Sequence, residues 1–110
     1  VDEVRGLVES GACIIDVREE HEYAAGHIKT AVNIPLSQLR RRMDEIPTDR
    51  PVYLHCRSSQ RSYNACLALQ GHGFDHIYNI SGSFLGISFY EYFNDVTQKR
   101  DPIVTAYNFN

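Results

Sequence analysis

The residues whose types and spacing could do chemistry lie in Val52-Tyr53-Leu54-His55-Cys56-Arg57-Ser58-Ser59-Gln60-Arg61-Ser62. An apolar run over 51–55 reads as a buried strand that delivers Cys56 to its C-terminal end. A short polar loop follows. From Ser62 the pattern turns helical, with Ala65, Cys66 and Leu69 on one side and Gly71 at the end. If the loop wraps round the sulfur, backbone N–H groups point at it and form an anion nest. The helix N-terminus adds partial positive charge, and Arg57 and Arg61 add whole ones. Such settings lower a cysteine pKa from about 8.5 into the range of roughly 3.5–7.5 and make the thiolate a nucleophile at neutral pH. The plain alternative is that Cys56 is a small buried hydrophobe, as most free cysteines are.

The surrounding pattern supplies a frame for that loop. Val4, Leu7 and Val8 fall on one helical face, with Asp2 as a cap and Gly11 as a stop. Cys13, Ile14 and Ile15 form a short apolar run typical of a buried parallel strand, ending at Asp16-Val17-Arg18. A short helix over 19–25 stops at Gly26, and 31–34 makes a second small strand. Pro35 opens a turn, and Leu36, Leu39 and Met43 give another helical stripe closed before Pro47. After the helix that follows Cys56, 75–79 reads as a fourth strand and 84–93 as an aromatic-rich final helix. Strands separated by helices predict an α/β layer structure with a largely parallel sheet. In such sheets ligands sit at the carboxyl ends of strands, where Cys56 lies.

The gross numbers exclude several classes. The chain's 110 residues suit one domain, expected over 1–100 with a tail over 101–110. A net charge of −3 offers no broad basic footprint for nucleic acid. The longest apolar runs span a few residues, against roughly 20 for a bilayer crossing, and no signal peptide pattern opens the chain, so no membrane partner is expected. Three cysteines, Cys13, Cys56 and Cys66, make an odd count without zinc-site spacing. No metal is expected, and the cysteines read as reduced thiols in a cytoplasmic protein.

Cys56 to Arg61 resembles the six-residue active-site loop of rhodanese-like sulfurtransferases, with arginine at its sixth position. Upstream, Ile15-Asp16-Val17-Arg18-Glu19 with Glu22-Tyr23, Gly26-His27-Ile28 and Ala31-Val32-Asn33-Ile34-Pro35 is similar to the family's other signature, and Ile80-Ser81-Gly82 to its glycine-bearing turn before the last helix. The likeness runs over residues 4–93. It implies a rhodanese-like α/β fold, a central mostly parallel sheet with helices on both faces. It also implies sulfane-sulfur transfer: the Cys56 thiolate takes sulfur from a small anionic donor such as thiosulfate or a persulfide, holds it as a persulfide and yields it to a thiol acceptor or another nucleophile such as cyanide. On this resemblance Cys56 and Arg61 are catalytic. The loop residues Arg57, Ser58, Ser59, Gln60 and Ser62 bind substrate, the amides of residues 57–61 cradle the sulfur, and Asp16 and Arg18 brace the site.

Two departures stand out. Many family loops have glycine where this chain has Ser59, and if the position needs positive φ the serine carries strain of roughly 1 kcal/mol or more. A second usual glycine is Ser83. Two rivals are weighed. A cysteine phosphatase loop has five residues between cysteine and arginine, whereas only Arg57, Ser58, Ser59 and Gln60 intervene here. A rhodanese-like binding module recognises an anion or partner without turnover, but such members often lack the cysteine.

Other residues have plainer readings. His55 points away from Cys56 on an alternating strand and is structural. Cys13 and Cys66 read as core, Arg40-Arg41-Arg42 as a solvated face, and Tyr90, Tyr92 and Phe93 as core aromatics. The apolar tail folds back on its own domain by default. Together with Ser83-Phe84-Leu85-Gly86-Ile87 it resembles the ends of flavin-dependent disulfide reductases, including coenzyme A disulfide and persulfide reductases, that carry a C-terminal rhodanese domain. That resemblance implies a flavoprotein reductase domain on the N-terminal side. No cofactor is expected in this domain itself, since no G-x-G-x-x-G fingerprint is present.

Overall fold

The computed structural model describes residues 3–80 and 83–109. The Asp2 cap and the Ser81-Gly82 turn lie outside the described residues, as does the Ser83 side chain. Helix α1 (Val4–Glu9) leads through Gly11, at φ +76°, into β1 (Cys13–Asp16). Helix α2 (Glu20–Ala25), β2 (Val32–Asn33), β3 (Val52–His55), α3 (Gln60–Gly71), β4 (Ile77–Asn79) and α4 (Ser83–Gln98) follow. The four strands pair in the order β2-β1-β3-β4, all parallel. The fold is the α/β arrangement expected, with β1 and β3 at its centre.

Strand alternation divides the core in two. Ile15, Val52, Leu54 and Cys56 pack with Leu39, Ala65, Cys66 and Leu69 on one face. Ile14 and Tyr53 pack on the other with Val4, Phe84, Ile87, Ile103 and Val104. Burial raises the Cys66 thiol to about 11 and pushes Cys13 upward too, so both behave as core thiols.

Two expectations are corrected. The stripe of Leu36, Leu39 and Met43 does not form an α-helix: it makes two 3₁₀ stretches, Leu36–Gln38 and Arg40–Glu45, with a kink at Arg42 (φ −115°, ψ 18°). All three apolar residues still pack on the core, and the Arg42 side chain fixes the kink by bonding Glu45 and Gln38. Likewise Tyr90, Tyr92 and Phe93 are not core: Phe93 is 66% exposed and the two tyrosines 37% and 46%. The buried face of α4 is instead Phe84, Ile87, Ser88, Glu91 and Asp95. Acidic residues occupy it because basic ones meet them. Arg5 bridges Glu91 Oε1 at 3.0 Å and Asp95 Oδ1 at 2.9 Å, and Arg100 bonds the same two carboxylates.

The segment after α4 closes over this cluster. The Tyr107 hydroxyl donates to Asp95 at 2.6 Å, and burial, with that carboxylate beside it, pushes the phenol up to about 12. Ile103 and Val104 are buried, and Val104 forms an antiparallel bridge with Ile28. At Gly26 an added Cβ would lie 2.6 Å from the Ala106 carbonyl oxygen. Gly26→Ala should therefore force the two segments apart and lower stability by about 1–3 kcal/mol, read from the urea midpoint. An unchanged midpoint would mean the segment is not held there.

Candidate functional site

The site forms where β1 and β3 end side by side, with Asp16 opposite His55 in the register. Past β3 the chain must turn from strand to helix within four residues, and it does so through Ser59 at φ +82°, ψ −17°. That left-handed turn aims two backbone N–H groups at the Cys56 sulfur, from Ser59 at 3.1 Å and from Ser62 at 3.3 Å. The Ser62 hydroxyl lies 3.4 Å from Sγ and donates to the Ser59 carbonyl. Helix α3 begins at Gln60, two residues earlier than its apolar pattern, so the Ser62 amide is among the first-turn donors that have no partner within the helix. The cradle thus extends to residue 62. Cys56 is only 1% exposed, which screens its sulfur from water.

Neighbouring elements hold the loop. The Phe84 and Leu85 N–H groups, at the start of α4, donate to the Cys56 carbonyl at 2.8 Å and the Arg57 carbonyl at 3.3 Å. Asp16 and Arg18, both fully buried, form a pair: Arg18 Nε bonds both carboxylate oxygens and Nη2 reaches Oδ2 at 2.7 Å. Arg18 also donates to the Gly26 carbonyl, and its guanidinium carbon sits 4.1 Å from the Phe84 ring centroid. Asn33 donates to the carbonyls of Asp16 and Arg18. Neither Asp16 nor Arg18 touches the sulfur in a described contact; the pair links the end of β1 to the Gly26 carbonyl and to the Phe84 ring. His55 stacks on Phe84, on the face opposite Cys56, and burial depresses its pKa, which keeps it neutral.

The two loop arginines differ. Arg57 is half-buried and makes no ion pair among the described residues. Arg61 is committed to a bidentate pair with Glu22 of α2, at 2.6 and 2.9 Å. Glu22 also completes a capping box by accepting the Glu19 amide. In the sequence Glu22 carries no sign of this role, because its partner Arg61 is 39 positions away. Ser58 and Gln60 form the exposed rim, and Gln60 bonds Asn64.

Fold and loop together define an α/β domain that presents one buried cysteine sulfur to backbone donors at a helix N-terminus. The rhodanese-like domain family matches residues 1–89, and the chain belongs to that family. It is 53% identical over 73 residues to the uncharacterized protein YqhL of Bacillus subtilis, covering 66% of this chain and 58% of that one. It is 39% identical over 72 residues to a protein of Allochromatium vinosum named sulfurtransferase, covering 66% of this chain and 67% of that one. The structure of reduced Bacillus anthracis CoADR-RHD superposes with a TM-score of 0.70 at 40% identity, over 76% of this chain and 15% of that one.

Two outcomes follow from the loop. Ser59 holds its side chain at φ +82°, and Ser59→Gly removes that left-handed strain. Relief of about 1–2 kcal/mol of left-handed strain exceeds the roughly 0.4–1 kcal/mol of added unfolded-state freedom. The glycine variant should gain up to about 1 kcal/mol in denaturant unfolding; a less stable variant would show that the turn is unstrained. Separately, Arg61 holds the Glu22 carboxyl down from 4.5 to about 2. A depressed carboxylate stabilises the fold fully above its unfolded value and loses that contribution as pH falls toward the folded one. Between pH 5 and 2 the wild type should lose more stability than Glu22→Gln; parallel curves would contradict the pairing.

Proposed function

We propose that this domain is a sulfurtransferase in which Cys56 carries sulfane sulfur as a persulfide. The observation that carries the reading is the pair of amides, Ser59 and Ser62, donating to Sγ at the start of α3. Both donors and the helix dipole stabilise a negative sulfur over a neutral one. With thiosulfate, the Cys56 thiolate attacks the outer sulfur. The new S–S bond forms with Cys56 as the old one breaks, and sulfite leaves with the electron pair. With an organic persulfide, RS–SH, the same attack releases RS⁻ and leaves Cys56–S–SH. A thiolate acceptor then attacks the outer sulfur and Cys56 departs as thiolate. Each step exchanges one S–S bond for another, so no external oxidant or reductant is needed. The amides remain aimed at the cysteine sulfur throughout, an electrostatic role like that of an oxyanion hole.

Arg57 and the loop rim of Ser58 and Gln60 meet the anionic donor in this reading, while Asp16 and Arg18 brace the strands from which the loop springs. The name of the Allochromatium vinosum relative supports the reaction class. The likeness to CoADR-RHD, over 15% of that chain, supports a place beside a flavoprotein reductase domain that serves as donor or acceptor. The binding-module alternative is less favoured because an intact cysteine under two amides is more than anion recognition requires. Intact-mass spectrometry after treatment with thiosulfate or glutathione persulfide should show a gain of one sulfur on the wild type and none on Cys56→Ser. Equal gain on both would place the sulfur elsewhere and end this reading.

A further inference from the structure

The carboxylate seated on Arg61 has no part in the chemistry above, yet it changes the charge that a donor meets. Arg61 is the loop arginine, close enough to Cys56 for a negative sulfur to favour its charged form. Both of its terminal nitrogens are nevertheless spent on Glu22. Arg18, just past the end of β1, is held on Asp16 through Nε and Nη2. Glu19, one turn before Glu22, adds further negative charge near Arg61. A small inorganic dianion approaching the loop therefore finds Arg57 without a described ion pair, a neutralised Arg61 and an acidic lip on α2.

We infer that Glu22 is a specificity residue, setting the site against compact dianionic donors such as thiosulfate and in favour of organic persulfides. This inference rests on the sulfurtransferase reading. An organic persulfide carries its reacting sulfur on a body whose charges lie several bonds away, so cancelling Arg61 costs it less than it costs thiosulfate. Glu22 acts through Arg61 and does not touch the sulfur in any described contact.

Glu22→Gln tests the inference, because the amide oxygen can still accept the Glu19 N–H that completes the capping box. Cys56 loading rates are measured with thiosulfate and with glutathione persulfide. The ratio of thiosulfate to persulfide rate should rise about tenfold in Glu22→Gln, the scale of one unmasked charge steering an anion. Thiosulfate loading should also fall more steeply with added NaCl than in the wild type. Arg61→Ala alone, which leaves Glu22 as an unpaired anion at the loop, should lower the ratio below that of the wild type. An unchanged or lowered ratio in Glu22→Gln, or a raised one in Arg61→Ala, overturns the inference while leaving sulfur transfer intact. A wild type that neither donor loads removes the sulfurtransferase reading, and the inference with it.

Discussion

The Ser59 and Ser62 amides converge on the Cys56 sulfur only while the chain reverses hand at Ser59, and several parts of the structure serve to hold that reversal. A non-glycine residue in the left-handed region persists when its surroundings over-determine it. Here β3 fixes the approach, since it is paired on both sides. Helix α3 fixes the exit. Between them, the first amides of α4 bond the Cys56 and Arg57 carbonyls, using helix-end donors that otherwise need solvent or a cap. Two helix N-termini thus meet at one loop, one serving its sulfur and the other its carbonyls.

Two ionic clusters hold the outer frame. Asp16 and Arg18 are fully buried, and the desolvation of such a pair cancels much of its attraction, so stability alone is a weak account of it. Its geometry says more. One guanidinium spans the Asp16 carboxylate, the Gly26 carbonyl and the Phe84 ring, tying the end of β1 to α2 and to α4. Arg5, Glu91, Asp95 and Arg100 do the same for α1, α4 and the segment beyond it. That segment then covers Ile28 and Gly26, which places residues 103–107 against the turn that Arg18 also grips.

The parallel sheet, the strand-end cysteine and the loop were legible because each has a local signal: short apolar runs, a polar break, then a helical period. Ser59 stood out only through the resemblance, since many family loops have glycine there; whether the position needs positive φ was settled by the fold, which holds it at φ +82°. What escaped was set by distant partners. The apolar period of the last helix favoured Tyr90, Tyr92 and Phe93 as core, but Glu91 and Asp95 take the buried face because Arg5 and Arg100, from separate segments, neutralise them. Arg61 read as a charge for the donor, and only the fold brings Glu22 across to it. Gly26 read as a helix stop, but its φ of 165° is open to any residue; the constraint is the Ala106 carbonyl packed against it.

These pairings change where the positive field at the sulfur comes from. Arg18 lies on Asp16 and Arg61 on Glu22, which offsets part of their charge at the site. N–H dipoles fixed by the backbone at 3.1 and 3.3 Å act on the sulfur directly. Fixed dipoles have properties that mobile arginines lack: they need no reorganisation when charge develops, and at a sulfur only 1% exposed they are little weakened by water or salt. A side-chain cation acts at longer range, on any anion near the loop. A cradle of amides acts only over hydrogen-bond range, so its effect is confined to the Cys56 sulfur.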